Sequence, residues 1–194
     1  MPKRDDLSSI ITSCDANVVL LSETWLHSDV DDSEIMPDHP HFNIYRHDRA
    51  NRRGGGVLIA VDRRITSQKV LCRSALEIVW VSLSCCFGSF LIGACYRPPD
   101  AFPEFSNLLR DELSMLSLSH TNKPIFLFGD FNFPGIDWNA QTTSCFGGSS
   151  VDRDFIDLCF SFNLTQLVSF PTRITENSSN ILDLALVTDE IEAT

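Results

Sequence analysis

Residues 125–138 read Ile-Phe-Leu-Phe-Gly-Asp-Phe-Asn-Phe-Pro-Gly-Ile-Asp-Trp, and this stretch gives the clearest indication of the fold. Its first four residues are apolar, which is typical of a strand that is buried on both faces. Asp130 and Asn132 follow that strand directly. Catalytic groups belong in such places, because the strand fixes the position while the following loop frees the side chain. The stretch therefore predicts a covered sheet with polar groups at one edge.

Two further strand ends carry polar residues of a similar kind. Glu23 follows the apolar run at 18–22, and Tyr96 and Arg97 follow a second run at 90–95. One carboxylate after a strand is more often a helix cap or a turn former, but several together with an amide and a phenol favour a site. Oxygen donors without a His or Cys cluster favour Mg²⁺ or Mn²⁺ over zinc.

Asp183 lies within the apolar run at 181–187. A charge inside such a strand is costly to bury unless it has a partner. Alternation along the strand would equally allow this side chain to face solvent. The spacing alone leaves open whether Asp183 is exposed or belongs to a site.

The remaining pattern predicts one α/β domain. Strands are expected at 17–22, 57–61, 78–82, 90–96, 125–128 and 181–187, and helices at 5–14, at 105–116 and, after a capping signal at Ser149 and Asp152, at 151–162. Because most of these strands are apolar throughout and no linker divides the chain, we expect a sandwich whose sheets are covered on both sides.

Residues 78–96 contain no charged side chain and approach the ~20 residues that a membrane helix needs. Serines and glycines interrupt the segment, and its middle at 86–89 is typical of a turn. We therefore expect a hairpin of two buried strands and no membrane association.

The charge is strongly negative overall but locally positive. The 194 residues carry a net charge of −11, and 43% are hydrophobic, which excludes a disordered chain. Residues 46–64 hold six arginines against two aspartates. This basic segment fits a ligand that carries phosphate, with Arg52 and Arg53 as candidate contacts, although a solvated loop is the simpler interpretation.

Seven cysteines, an odd number, occur without any Cys-x-x-Cys spacing. Several lie in apolar runs, so we expect reduced, buried thiols in an intracellular protein instead of a disulfide framework or a zinc site.

Seven blocks resemble one known family when they are read in chain order. They are Leu-Ser-Glu-Thr-Trp-Leu at 21–26, Tyr-Arg-His-Asp-Arg at 45–49, Gly-Gly-Gly-Val-Leu-Ile at 54–59, Cys-Tyr-Arg-Pro-Pro at 95–99, Gly-Asp-Phe-Asn-Phe-Pro-Gly-Ile-Asp-Trp at 129–138, Pro-Thr-Arg at 171–173 and Ile-Leu-Asp-Leu at 181–184. The set is similar to the endonuclease/exonuclease/phosphatase superfamily, and within it to the apurinic-endonuclease-like domain of non-LTR (LINE-type) retrotransposons.

The resemblance implies a DNase I-like four-layer sandwich, in which two packed mixed sheets are flanked by helices. It also implies Mg²⁺-dependent (or Mn²⁺-dependent) nicking of DNA, which leaves a 3′-hydroxyl for the reverse transcriptase domain of the parent element to extend. DNA and that domain would be the partners, and the parent element would act in the nucleus.

The resemblance also assigns roles to residues. Glu23 and Asp130 would bind the metal, and Asp130 would activate the attacking water. Asn132 would orient the phosphate, Tyr96 would hydrogen-bond to it, and Asp183 would orient a histidine. Lesser substrate contacts would come from Arg97, Arg173, Arg52 and Arg53.

The chain departs from the family pattern at both ends. The family domain opens with a strand that carries an Asn near the metal and closes with a Ser-Asp-His strand, whereas the last histidine here is His120. We expect residues 1–194 to form a single domain that lacks both strands and nicks DNA weakly or not at all, since such a loss costs on the order of 10²–10⁴ in rate. The alternatives are a phosphatase or phosphodiesterase of the same superfamily and a non-catalytic remnant.

Overall fold

A computed structural model describes residues 4–50, 52–138 and 148–188. The helices are α1 (Arg4–Cys14), α2 (Asp32–Ile35), α3 (Phe105–Ser119) and α4 (Ser150–Ser161). The strands are β1 (Val18–Ser22), β2 (Phe42–His47), β3 (Val57–Asp62), β4 (Thr66–Val70), β5 (Glu77–Cys85), β6 (Gly88–Tyr96), β7 (Ile125–Asp130), β8 (Leu164–Gln166), β9 (Arg173–Ile174), β10 (Ser179–Asn180) and β11 (Asp183–Thr188).

The larger sheet has six strands in the order β4-β5-β6-β7-β11-β8. Strands β5 and β6 form the expected hairpin, and β6 runs parallel to β7 through the α3 crossover, while the other neighbours are antiparallel. No helix in the described ranges is long and apolar enough to cross a membrane.

The smaller sheet has the order β1-β3-β2, and all six residues of its central strand β3 are buried. Val57, Ile59 and Val61 face the larger sheet, whereas Leu58 and Ala60 pack against the helices on the other side. Both faces of β3 are thus covered, which is why its sequence is apolar without alternation.

Three apolar layers hold four layers of secondary structure together. The middle layer lies between the two sheets, α3 and α4 cover the outer face of the larger sheet, and α1 and α2 cover the outer face of the smaller one. This arrangement confirms the α/β sandwich of two packed sheets flanked by helices; the larger sheet is mixed, and the described strands of the smaller one pair antiparallel.

Strand β1 lies at the edge of the smaller sheet and pairs, among the described residues, with β3 alone. All five of its residues are half-buried although their sequence is almost entirely apolar. A cavity of about 330 Å³ opens beside it, lined among others by Leu20, Phe128 and Ala185. The smaller sheet therefore leaves part of the inner face of the larger one uncovered.

The elements that the sequence pattern does not predict are α2, β2, β4 and the short strands β8, β9 and β10. Strand β4 reads Thr-Ser-Gln-Lys-Val and is a largely exposed edge strand, so it lacks the apolar signal of the interior strands. The capping box at Ser149 and Asp152 is present as predicted.

The six described cysteines are free thiols. Cys95 and Cys159 are buried as expected, whereas Cys14 and Cys86 are exposed, so the expectation of buried thiols is wrong for these two. Cys14 follows the last apolar contact of α1, and Cys86 lies in the β5–β6 turn, where neither sheet can cover it. Cys145 lies outside the described residues.

Candidate active site

Four polar residues lie side by side at one edge of the larger sheet. The strand register places Glu77 opposite Tyr96, Tyr96 opposite Asp130, and Asp130 opposite Asp183, across β5, β6, β7 and β11. Residues opposite each other in neighbouring strands project to the same face. Here that face is the inner one, which is turned toward the smaller sheet, since Tyr96 belongs to the apolar layer between the sheets.

Glu23 approaches this row from the smaller sheet. It follows β1 directly, its side chain is exposed, and its carboxylate accepts a short hydrogen bond from the Tyr96 hydroxyl. Its φ of 53° is uncommon for a residue other than glycine. The left-handed backbone turns Glu23 out of the strand direction and toward the larger sheet. Residues from both sheets thus contribute to one site, although Glu23 and Tyr96 are distant in sequence.

The Asp130 carboxyl is half-buried, and its pKa rises from 3.8 to about 6. Burial is the main cause, and the negative charge of Asp183 adds to it, while hydrogen bonds from Asn132 act in the opposite direction. One of these is the bond from the Asn132 backbone N–H to Asp130 Oδ1, at 3.1 Å. Asp130 is therefore a stronger base than an ordinary aspartate but still ionised at neutral pH.

The Tyr96 hydroxyl has its pKa raised above the ordinary value, first by burial and then by the bond it donates to Glu23. It stays protonated at neutral pH and can therefore act as a hydrogen-bond donor.

Arg49 and Glu77 complete this end of the polar row. The guanidinium of Arg49 lies over the Tyr96 ring, 5.4 Å from its centroid, and Arg49 Nε donates to Glu77 Oε1 at 2.7 Å. Sequence reasoning missed Glu77, whose signal is a carboxylate at the start of an apolar strand.

Asn132 is buried and has a φ of 48°. Its side-chain amide donates to the Arg97 carbonyl oxygen at 2.9 Å, and Arg97 Nη1 donates in return to the Asn132 carbonyl oxygen at 2.9 Å. These bonds fix the loop after β7 and hold the Asn132 N–H against Asp130. Asn132 thus holds this loop in place and, through its hydrogen bonds to Asp130, counteracts the rise in the pKa of that carboxyl.

Arg97 is 7% exposed, and its guanidinium packs over the Phe133 ring at 4.1 Å from the centroid. Burial lowers the pKa of this guanidinium. The position argues against the expected substrate contact, because the charged end binds backbone carbonyls inside the protein. Arg97 therefore holds the loop that follows Asp130 in place.

The basic segment at 46–64 is largely neutralised in the folded chain. Arg46 pairs with Asp32 and Asp48, Arg49 with Glu77, and Arg64 with Asp62. Arg52 donates two bonds to the Asp100 carboxylate, at 2.6 and 2.9 Å, so the expected substrate contact competes with an ion pair. Four of the six arginines are therefore occupied by carboxylates.

Arg173 lies on β9 and is exposed. The neighbouring Thr172 hydroxyl accepts hydrogen bonds from the backbone N–H groups of Leu182 and Asp183, both at 3.0 Å. These bonds tie the β9–β10 ribbon to the start of β11. The ribbon thus brings Arg173 to the side of the site that Asp183 occupies.

The donors at this edge suit a hard cation. No group of three or more His, Cys, Asp or Glu side chains in the described ranges lies close enough to form a metal cage. Mg²⁺ does not require such a cage, because it is usually held by one or two carboxylates together with waters and substrate phosphates. Glu23 and Asp130 can supply those carboxylates, and a cation would relieve the repulsion that raises the pKa of Asp130.

The sequence profile of the Endonuclease/Exonuclease/phosphatase family matches residues 1–194. The chain belongs to this family. Glu23, Tyr96, Asp130 and Asp183, which the fold brings together, each lie in one of the blocks that carry the resemblance.

Solved structures share the fold at low sequence identity. The endonuclease domain of TRAS1, a telomere-specific non-LTR retrotransposon, is 13% identical with a TM-score of 0.67, covering 95% of this chain and 77% of that one. A 3′-5′ exonuclease from Neisseria meningitidis is 14% identical with a TM-score of 0.71, covering 96% and 82%. A mannosyl-6-phosphatase from Bacteroides thetaiotaomicron is 15% identical with a TM-score of 0.62, covering 97% and 77%. They confirm a DNase I-like fold.

A search of curated proteins finds no match.

Proposed function

We propose that this chain is a metal-dependent endonuclease domain that nicks DNA phosphodiester bonds, of the kind that a non-LTR retrotransposon uses to prime reverse transcription. The observation that carries the proposal is the convergence of Glu23, Tyr96, Asp130 and Asp183 from two sheets onto one edge. Support also comes from the ordered sequence blocks and from the similarity in fold to a retrotransposon endonuclease. DNA is the proposed substrate, and the reverse transcriptase of the parent element is the proposed partner.

A divalent cation, Mg²⁺ or Mn²⁺, held by Glu23 and Asp130, would neutralise negative charge on the phosphate. Asp130, whose carboxyl faces this position at the end of β7, accepts a proton from the attacking water. The water oxygen bonds to phosphorus while the bond from phosphorus to the 3′-oxygen breaks. The 3′-oxygen takes up a proton, which leaves a 3′-hydroxyl and a 5′-phosphate.

Tyr96 acts as a donor in this proposal. Its protonated hydroxyl can move from Glu23 to a phosphate oxygen, where a hydrogen bond stabilises the charge of the transition state. Asn132 and Arg97 position the Asp130 loop through their mutual backbone contacts. Asp183 tunes Asp130 by charge.

We also propose that turnover by residues 1–194 is weak. None of the five histidines, all of which lie in described ranges, hydrogen-bonds or forms an ion pair with Glu23, Tyr96, Asp130 or Asp183. The histidine that the resemblance expects to contact the phosphate is therefore missing from the described site. The open edge of β1 also leaves this side of the site without a neighbouring strand among the described residues.

A supercoiled-plasmid nicking assay with Mg²⁺ tests the proposal. We expect slow conversion to the open circle by the chain, loss of conversion in Asp130→Ala, and no loss in Asp111→Ala, an exposed acid on α3. Nicking that survives Asp130→Ala would refute the proposed site.

Parallel assays of phosphate release from mannose 6-phosphate and from inositol polyphosphates address the second function. The phosphatase among the similar structures makes that alternative specific. If the chain releases phosphate in a way that depends on Asp130 but does not nick DNA, the proposed function becomes that of a phosphatase. If the chain shows neither activity with any metal, it is a non-catalytic remnant.

A further inference from the structure

A glycine-rich segment passes directly beside the candidate active site. The backbone N–H groups of Thr24 and Trp25 donate to the carbonyl oxygens of Gly56 and Gly55, at 3.2 and 3.0 Å. The Gly56 N–H in turn donates to Glu77 Oε2 at 2.8 Å. The chain preceding β3 is therefore tied both to the loop that carries Glu23 and to the end of the polar row.

Trp25 is half-exposed at this place, with 50% of its surface accessible. Its φ is 55°, a strained value for a bulky residue, and strain of this kind persists where the surroundings fix it. The indole lies where a side chain at position 54 would point, 3.7 Å from the place a Cβ of Gly54 would take, and the Arg53 guanidinium lies over the ring, 5.1 Å from its centroid. A large apolar surface is thus held at the rim of a polar site with a cation stacked on it.

Arg53 differs from most arginines of the basic segment. Arg46, Arg49, Arg52 and Arg64 each have a carboxylate partner, whereas the contact that the structure shows for the Arg53 guanidinium, among the described residues, is with an aromatic ring. A cation–π contact orients a guanidinium without neutralising its charge or occupying its in-plane donors. Arg53 therefore keeps its hydrogen-bonding groups available for an anion.

We propose that Arg53, positioned by Trp25, binds a phosphate of the nucleic acid backbone next to the one that is cleaved. The proposal rests on the proposed nuclease function and refines its substrate class. A monophosphate such as mannose 6-phosphate carries its single phosphate in the polar row and has no second phosphate to offer at the rim. A polynucleotide does, so this pair of residues selects a strand over an isolated phosphate ester.

The test measures binding without cleavage. The anisotropy of a short fluorescein-labelled DNA duplex is followed in EDTA over a range of salt concentrations. Arg53→Ala is expected to weaken binding about tenfold, the effect of losing one hydrogen bond to a charged group, and to make the slope of log K against log salt shallower by about 0.9. Trp25→Ala should produce a smaller loss in the same direction, and Trp25→Phe should retain most of the affinity.

Arg63→Ala is the matched control. Arg63 is an exposed arginine just after β3, at the end of that strand opposite to Arg53, and its removal changes the net charge equally. Its affinity and salt slope should remain close to those of the unaltered chain. Thermal melts of all variants separate a loss of binding from a loss of folding.

Equal effects of Arg53→Ala and Arg63→Ala would overturn the proposal, as would failure of the unaltered chain to bind the duplex at low salt. The nicking assay tests the proposed nuclease activity separately from the phosphate contact of Arg53. Nicking by a chain whose DNA binding ignores Arg53 leaves the nuclease in place and removes the phosphate contact. Binding through Arg53 without nicking in any metal supports the contact and counts against the nuclease.

Discussion

Replacing Asp130 by Asn should make the protein more stable at neutral pH. The Asp130 carboxyl has its pKa raised from 3.8 to about 6, chiefly by burial and next by the charge of Asp183. One pKa unit corresponds to about 1.4 kcal/mol, so about 3 kcal/mol is the upper limit of the extra cost of ionising this carboxyl in the folded chain, and solvent screening of the partly exposed group reduces it. Asn keeps the oxygen that accepts the N–H of Asn132 and carries no charge.

The sign of the pH dependence follows from the raised pKa. Below pH 3.8 the carboxyl is protonated in both states, and the folded chain bears no penalty. As the pH rises through about 6, the folded chain must ionise the buried group, and the stability associated with its protonated form is lost. The gain from Asp130→Asn should therefore be near zero at pH 4, grow between pH 4 and 6, and level off above pH 7 at up to about 3 kcal/mol.

Urea unfolding followed by circular dichroism in EDTA at pH 4, 6 and 8 measures this gain. Asp111→Asn, an exposed site on α3, is the control and should shift the unfolding midpoint little at any pH. Asp183→Asn should give a smaller gain that is largest at pH 8, because it removes one of the causes of the raised pKa. A gain for Asp130→Asn that is the same at pH 4 and pH 8 would refute the electrostatic explanation.

Two further predictions concern the framework of the site. Gly129→Ala should destabilise the fold by about 3 kcal/mol or more, because its φ is +149° and the added Cβ would overlap the Cys95 carbonyl oxygen. Gly88→Ala, where φ is also positive but the space is open, should cost about 1 kcal/mol in the same urea assay; equal losses would contradict the steric argument. Ser149→Ala removes the side-chain half of the α4 capping box and should cost about 1 kcal/mol. In a thermal melt, a loss no greater than that of the adjacent Ser150→Ala would contradict that role.

The layers of the fold could be predicted from sequence because their signal is local. Continuous apolar runs identify β1, β3, β5, β6, β7 and β11, since a strand covered on both faces has no polar alternation. Strands β2 and β4 were not predicted in this way, because they are edge strands and carry polar residues. Their existence depends on pairing with a neighbour instead of on their own composition.

The positions of Glu23, Tyr96 and Asp130 at strand ends were also evident from the sequence, whereas Asp183 was expected inside its strand and lies at its first residue. Their contacts were not evident, because strand register and the packing of two sheets are long-range properties. The tertiary structure placed Asp183 opposite Asp130 and brought Glu23 to the Tyr96 hydroxyl across 73 residues of chain. The raised pKa of Asp130 is a consequence of that placement.

The class of fold, most of the strand ends that carry the site, and the family follow from the sequence alone. The tertiary structure alone decided which charges remain available. It paired Arg52 with Asp100 and Arg49 with Glu77, buried Arg97, and left Arg53 stacked on Trp25. A sequence shows how many charges a segment carries, but the field at a site depends on the partners that folding brings within a few ångströms, because the interaction between charges falls off with distance and with exposure to water.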